Sequence, residues 1–101
     1  MKTRSEFKEL HQNCVMTAQI LKALAHPHRL QILCHIADQD RTVGELEKLC
    51  GASQSAVSQF LGRMKCEGLV SSKKEGQFVS YRIADPRIVK TIQALQKIYC
   101  D

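Results

Sequence analysis

The segment from Thr42 to Met64 constrains the fold most, because it contains two short helical patterns separated by a Gly-Ala turn. Thr42 and Glu45 have the spacing of a capping box, which predicts the start of a helix that ends at Gly51. Ser53 suits the N-cap of the next helix, where apolar residues recur at helical spacing: Val57, Phe60, Leu61 and Met64. Two helices joined by so short a turn are typical of a helix-turn-helix, whose second helix enters the major groove of DNA.

The polar face of this second helix carries side chains that suit DNA: Gln54, Ser55, Ser58, Gln59 and Arg63. Glutamine can pair with adenine, arginine with guanine, and serine with a base edge or a phosphate. Any amphipathic helix has a polar face, so this pattern alone is equally consistent with an ordinary solvated surface. The residues that follow the helix favour DNA binding.

Two strand patterns over residues 69–73 and 78–83, joined across residues 74–77, predict a β-hairpin with Gly76 in the turn. The hairpin carries a basic and polar set of side chains: Lys73, Lys74, Gln77 and Arg82. A hairpin directly after a recognition helix can contact the DNA backbone or minor groove. We therefore interpret it as a wing, and we predict that both sets of residues bind double-stranded operator DNA.

Three further helical patterns cover residues 6–24, residues from Pro27 to about 38–40, and residues 86–100. The predicted fold is mainly α with a β-hairpin (α+β): a winged helix-turn-helix with four helices, the hairpin and a fifth helix, forming a single domain over residues 1–101. One recognition helix reads only a few base pairs, so we expect a homodimer. The terminal helices, about 6–24 and 86–100, have apolar stripes and are expected to form its interface.

Composition narrows the class of protein. Fifteen Lys and Arg residues against ten acidic residues give a net charge of +5, which favours a polyanionic partner. No run approaches the roughly twenty apolar residues of a membrane span, and no export signal is visible, so we expect a cytoplasmic protein with no membrane partner. The odd number of cysteines, five, then predicts reduced thiols rather than a disulfide framework.

Five cysteines and four histidines also raise the possibility of an enzyme, but no nucleophile motif accompanies them. We expect neither catalysis nor a cofactor. A module that binds a protein partner without DNA is a further alternative, and the salt dependence of binding separates the two because phosphate contacts release counterions.

The chain resembles the ArsR/SmtB family of bacterial repressors over roughly residues 15–100. The segments that carry the resemblance are Leu24-Ala25-His26-Pro27-His28-Arg29-Leu30, Gly44-Glu45-Leu46, Ser53-Gln54-Ser55-Ala56-Val57-Ser58-Gln59-Phe60-Leu61, Glu67-Gly68-Leu69-Val70 and Glu75-Gly76-Gln77-Phe78-Val79-Ser80-Tyr81-Arg82. The resemblance implies a dimeric winged-helix repressor that leaves its operator when an inducer, often a metal ion, binds.

The family's metal-binding patterns are missing here. Only Cys50 is a thiol in the region of the arsenic-type cysteine pair, and residues 85–101 contain no histidine for the zinc-type site. His11, His26, His28 and His35 do not form either pattern, so we expect no metal site.

The segments Arg29-Leu30-Gln31-Ile32-Leu33-Cys34 and Leu95-Gln96-Lys97-Ile98-Tyr99-Cys100 resemble the BigR- or SqrR-type subgroup, whose members sense persulfides. This resemblance implies that Cys34 and Cys100 are the sensing thiols. Reactive sulfur species would join them by a polysulfur bridge within each subunit and thereby release the DNA.

Several alternatives stay open at this point. Cys34 lies on an apolar stripe, where a free cysteine often serves as a small hydrophobic residue. The same two cysteines also resemble those of the virulence activator HlyU, which implies a general redox regulator that activates transcription. Extra thiols, for which we predict no role, could permit other bridges or a metal-responsive site built partly from Cys14 and Cys34.

Overall fold

The computed structural model describes residues 3–100, which form five helices and a three-stranded antiparallel sheet. The elements in chain order are α1 (Arg4–Leu24), α2 (Pro27–Ile36), β1 (Arg41–Thr42), α3 (Val43–Cys50), α4 (Gln54–Cys66), β2 (Val70–Glu75), β3 (Phe78–Ile83) and α5 (Pro86–Tyr99). This architecture is the predicted winged helix-turn-helix of the α+β class.

Local capping explains where the helices begin. Thr42 accepts a hydrogen bond from the backbone N–H of Glu45, and the Glu45 carboxylate accepts one from the backbone N–H of Thr42, as the capping-box pattern predicts. Helix α1 begins two residues before the predicted position because Thr3 and Glu6 form the same box. Helix α2 ends at Ile36, a little before the predicted 38–40.

The sheet has the order β1-β3-β2, and only β2 and β3 were predicted. Strand β2 continues past the predicted Lys73, so that Glu75 pairs with Phe78 across a two-residue turn of Gly76 and Gln77. Gly76 has a φ of 61°, the left-handed conformation that such a turn needs. Strand β1 is too short to show a sequence pattern, and it exists because it pairs with the free edge of β3.

The core lies between α2, α3, α4, α5 and the base of the hairpin. Its buried side chains are Leu24, Ile32, Leu33, Ile36, Leu46, Val57, Leu61, Met64, Leu69, Val70, Ile83, Ile88 and Ile92. Each such side chain contributes about 1.5–3 kcal/mol by leaving water. Because α4 buries one face in this core, its other face is turned outward.

Helix α1 contributes little to this core. Of its predicted apolar stripe only Leu24 is buried, whereas Phe7, Leu10, Cys14 and Leu21 are exposed.

Within residues 3–100 no helix combines the length and the apolar character that crossing a bilayer requires.

Candidate nucleic-acid interface and thiol pair

The polar face of α4 carries all five residues that the sequence predicts to contact bases or phosphates. Val57, Leu61 and Met64 are buried on the opposite face. The five predicted residues are all exposed: Gln54, Ser55, Ser58, Gln59 and Arg63. No ion pair among residues 3–100 involves Arg63, so its guanidinium is free to bind a guanine or a phosphate.

The turn before α4 sets the position of this face. Gly51 ends α3 with a φ of 64°, and its N–H donates to the carbonyl of Glu47. The Ser53 hydroxyl then accepts a hydrogen bond of 3.1 Å from the backbone N–H of Ala56, which begins α4. The turn between α3 and α4 therefore occupies three residues, 51–53, as is typical of a helix-turn-helix.

The hairpin divides its predicted DNA-binding residues between two faces. Cross-strand pairs share a face, so the pairs Lys73 with Ser80 and Ser71 with Arg82 place both basic side chains on one side. Lys74 lies on the other face, and Gln77 occupies the turn. All four predicted residues are exposed. They lie on one hairpin, but the strand pairing places them on different faces of it.

Two of the basic side chains on the wing have acidic neighbours. Lys73 lies 3.5 Å from Glu75, and Arg82 lies 3.6 Å from Asp40 in the α2–β1 connection. These ion pairs are solvent-exposed and therefore weak. A phosphate can replace either carboxylate.

Sequence reasoning missed two side chains that hold α4 in place. Lys65 donates a hydrogen bond of 2.7 Å to the Ser72 hydroxyl and so joins α4 to the first wing strand. Arg29 at the start of α2 makes a two-point contact with Glu67, with distances of 2.7 and 3.1 Å, and also donates to the carbonyl of Ala23 at 3.4 Å. These contacts join residues 7 and 38 positions apart in the sequence, and no local motif predicts them.

Cys34 and Cys100 lie 66 positions apart in the sequence and line the same cavity. The cavity measures about 220 Å³ and lies between α2 and the end of α5, with a lining of Leu30, Cys34, Leu95, Gln96, Tyr99 and Cys100. Cys34 is half-buried on α2, and Cys100 is exposed at the C-cap of α5. Gln96 ties the two helices together, since its Nε2 donates to the Cys34 carbonyl at 3.3 Å.

Burial raises the pKa of the Cys34 thiol, and the neighbouring Cys100 raises it further, whereas a hydrogen bond from Gln96 lowers it. Buried thiols resist ionisation because a thiolate loses its hydration. The thiolate, and not the thiol, attacks sulfur. Of the two thiols, the exposed Cys100 is therefore better placed to meet a reagent in solution.

The remaining cysteines lie apart from this cavity. Cys14 on α1 and Cys66 on α4 are exposed, and Cys50 at the end of α3 is half-buried. Burial raises the pKa of the Cys50 thiol as well. Within the described part of the chain, no three His, Cys, Asp or Glu side chains are grouped so that they could hold a metal ion.

Comparison with known proteins identifies the class of regulator. Residues 26–72 match the family described as bacterial regulatory protein, arsR family. The transcriptional activator HlyU of Vibrio cholerae is 39% identical over 93 residues, which cover 92% of this chain and 86% of HlyU.

Two solved structures have the same fold. The transcriptional repressor BigR of Xylella fastidiosa is 30% identical, with a TM-score of 0.83 over 92% of each chain. The homodimeric winged helix-turn-helix DNA-binding domain Mb0332 of Mycobacterium bovis, a possible ArsR-family regulator, is also 30% identical, with a TM-score of 0.71 over 96% of this chain and 86% of that one.

An activator and a repressor are both similar to the chain, so the comparisons identify the family and not the persulfide-sensing subgroup. Its members are regulators of transcription, which confirms the prediction that the chain is not an enzyme. The chain belongs to the arsR family of bacterial regulatory proteins, as a DNA-binding winged helix-turn-helix regulator of transcription.

Proposed function

We propose that the chain is a homodimeric repressor that releases its operator when reactive sulfur species link Cys34 to Cys100. The observation that carries this proposal is the cavity of about 220 Å³ that both cysteines line. Two thiols so far apart in the sequence face one space, and that space has room for added sulfur atoms.

Operator binding is assigned to the polar face of α4 and to the wing. The side chains concerned are exposed, and the charge of +5 favours DNA. Replacing Arg63 by Ala is expected to weaken operator binding by about 1–3 kcal/mol, the usual value of a specific arginine contact. Fluorescence anisotropy at several salt concentrations measures this loss, and affinity that does not fall as salt rises would instead favour a protein partner.

The homodimer is supported by apolar surface that the single chain leaves in water. Helix α1 exposes Phe7, Leu10 and Leu21, and the end of α5 exposes Ile98 and Tyr99, the last to 80%. Large exposed apolar patches are typical of protein interfaces. Mb0332, which has the same fold, is homodimeric. We therefore assign the interface to the terminal helices, about residues 6–24 and 86–100.

The proposed sensing chemistry needs no oxidant other than the persulfide. Cys100, as a thiolate, takes the outer sulfur of one persulfide and releases a thiol, and a second persulfide extends the chain by one sulfur in the same way. Cys34 then attacks the sulfur next to Cys100 and expels hydrogen sulfide. Two protein thiols and two persulfides thus give one trisulfide bridge, two thiols and one hydrogen sulfide. One of the two sulfane sulfurs is reduced to hydrogen sulfide as the protein thiols are oxidised, and the other stays in the bridge.

The test is operator binding by anisotropy for the reduced protein and for protein treated separately with glutathione persulfide, hydrogen peroxide and zinc, with intact mass recorded for each sample. We expect release only with persulfide, together with added sulfur that links Cys34 and Cys100. Release by zinc, or no response to any reagent, would contradict the sensor function and leave DNA binding in place.

Matched serine variants test whether the response to persulfide depends on Cys34 and Cys100 and not on the other cysteines. Cys34→Ser and Cys100→Ser are expected to keep operator binding and to lose the response to persulfide. Cys66→Ser, which changes an exposed cysteine outside the cavity, is expected to respond as the unmodified chain does. A loss of response in Cys66→Ser would move the switch away from the proposed pair.

A second function is favoured by one observation, the 39% identity to the activator HlyU. In that alternative the same thiols respond to general oxidants, and the protein activates transcription. Release by peroxide as readily as by persulfide, together with activation of a promoter fusion, would favour it.

A further inference from the structure

A second cavity, of about 150 Å³, lies between α2, α3 and α4, under the first half of the DNA-contacting helix. Its walls include His28, Ile32, Cys50, Ala52, Ala56 and Phe60. Neither Cys34 nor Cys100 lines it, so it is separate from the proposed thiol switch.

Small side chains leave this space open. Ala52 and Ala56 line the cavity from the turn before α4 and from its first turn, and each side chain ends at Cβ. Ile32 and Val57 also line the cavity and are almost completely buried, so core packing fixes their positions. Protein interiors are close-packed, and an unfilled cavity lowers stability in proportion to its volume. A molecule that fills this space is therefore expected to stabilise the folded chain.

The lining selects a neutral molecule. Apart from His28, whose ring stacks on Phe60, the lining contains no side chain that can become positively charged and no carboxylate, so a charged ligand would lose its hydration with little opposite charge to replace it. Burial raises the pKa of the Cys50 thiol, which keeps it protonated and neutral at neutral pH.

Aromatic surface borders the cavity on one side. The rings of His28 and Phe60 stack with their centroids 5.4 Å apart, and the His26 ring lies 5.1 Å from that of Phe60. Aromatic side chains favour a further ring in an offset or edge-on contact. A protein cavity of about 150 Å³ with an apolar lining is large enough to bind benzene.

We propose that this cavity is an effector site for a neutral apolar molecule of about one aromatic ring, and that its occupation changes the affinity for operator DNA. The coupling follows from position, because the walls belong to both helices of the helix-turn-helix and to the turn between them. A molecule in the cavity contacts Ala56 and Phe60 and so restricts the position of α4. The residues of the same helix that are assigned to DNA are Gln54, Ser58 and Gln59. The effector function rests on the proposed operator binding but not on the thiol chemistry.

Benzene and indole serve as probes for the reduced full-length chain. We expect each to raise the unfolding temperature in a saturable way, because a ligand that binds only the folded state stabilises it. Operator affinity, measured by anisotropy with and without the probe, is expected to change by at least about fivefold, the lower end of ordinary allosteric coupling.

Two substitutions fill the cavity from different walls. Ala56→Leu adds bulk from α4 and Cys50→Leu from α3, so one remains informative if the other does not fold. Each is expected to weaken probe binding at least about tenfold, which is 1.4 kcal/mol. Cys66→Leu is the matched control, since it makes the same change as Cys50→Leu at an exposed position of α4, and it should bind the probes normally.

Three results would overturn the proposal: no rise in unfolding temperature with either probe, undiminished binding in both filled variants, or probe binding with no change in operator affinity. Failure of the operator-binding proposal is recognised separately, because the reduced chain without any probe would then not bind DNA.

Discussion

At the scale of single residues, Cys34 illustrates how its surroundings change a side chain's chemistry. Its thiol is half-buried, and burial is the largest cause of its raised pKa. The nearby Cys100 is a smaller cause in the same direction. Gln96 acts in the opposite direction because its hydrogen bond favours the thiolate. The resulting thiol is less reactive at neutral pH than a fully solvated cysteine, so the proposed step in which Cys34 closes the bridge should accelerate as pH rises.

The neighbours of Cys34 should move its pKa in opposite directions. Cys100→Ser removes the electrostatic interaction with Cys100 and is expected to lower the pKa of Cys34, whereas Gln96→Leu removes the hydrogen bond and is expected to raise it. The pH dependence of iodoacetamide labelling at Cys34, followed by peptide mass spectrometry, measures both shifts. Cys66→Ser is the control, and equal pKa values in all four proteins would contradict the assigned causes.

A second prediction at this scale concerns Gly51. Its φ of 64° is costly for any residue with a Cβ, although no heavy atom would lie within 4 Å of that Cβ. Gly51→Ala should therefore destabilise the chain by about 1–2 kcal/mol through the backbone alone. Gly44→Ala, inside α3, is the control and should be neutral or stabilising because alanine favours helix. Urea unfolding distinguishes the two.

At the scale of elements, the position of α4 depends on neighbours from distant parts of the chain. Arg29 on α2 contacts Glu67 at the C-cap of α4 and the carbonyl of Ala23 near the end of α1. The Arg29 side chain is only 13% exposed, and that of Glu67 is 42% exposed. The Arg29–Glu67 pair thus connects α1, α2 and α4 in one partly buried contact.

Breaking this contact should cost more than breaking an exposed pair. Glu67→Gln leaves the largely buried Arg29 without its carboxylate, and we expect a loss of about 1 kcal/mol in the free energy of unfolding. Glu75→Gln removes the partner of Lys73, where both side chains are more than 60% exposed, and should change stability by less than about 0.5 kcal/mol. Equal losses in urea unfolding would refute a structural role for the Arg29 contact.

At the scale of the whole molecule, the shape indicates a surface that needs a partner. The radius of gyration is 15.7 Å, above the roughly 13 Å of a compact domain of 100 residues, and the longest dimension is 55 Å. Helix α1 has 21 residues, of which only Leu24 is buried. A second copy that covers its apolar stripe would give this helix the tertiary packing on which helices in proteins depend.

A charge on that stripe should separate the subunits. Leu10→Glu would place a carboxylate in the proposed interface, and we expect monomers in sedimentation velocity and a loss of operator affinity. Gln12→Glu, an exposed position of α1 off the stripe, adds the same charge and should leave the dimer intact. A Leu10→Glu protein that sediments as the unmodified chain does would move the interface away from α1.

The helices, the hairpin and the polar face of α4 could be predicted from the amino-acid sequence. These depend on neighbours within four residues: Thr42 with Glu45, Ser53 with Ala56, and the glycines of the two turns. Local hydrogen bonds and the helical spacing of apolar residues suffice for such features, so a single sequence reveals them.

The features that join distant residues could not be predicted in this way, because they depend on how the elements pack. Strand β1 forms because β3 offers a free edge, and the Arg29–Glu67 contact spans 38 positions. The cavity that Cys34 and Cys100 share, and the one beneath α4, exist only where packed helices fail to fill space. Such contacts depend on the relative placement of whole elements, which core packing sets and no local pattern encodes.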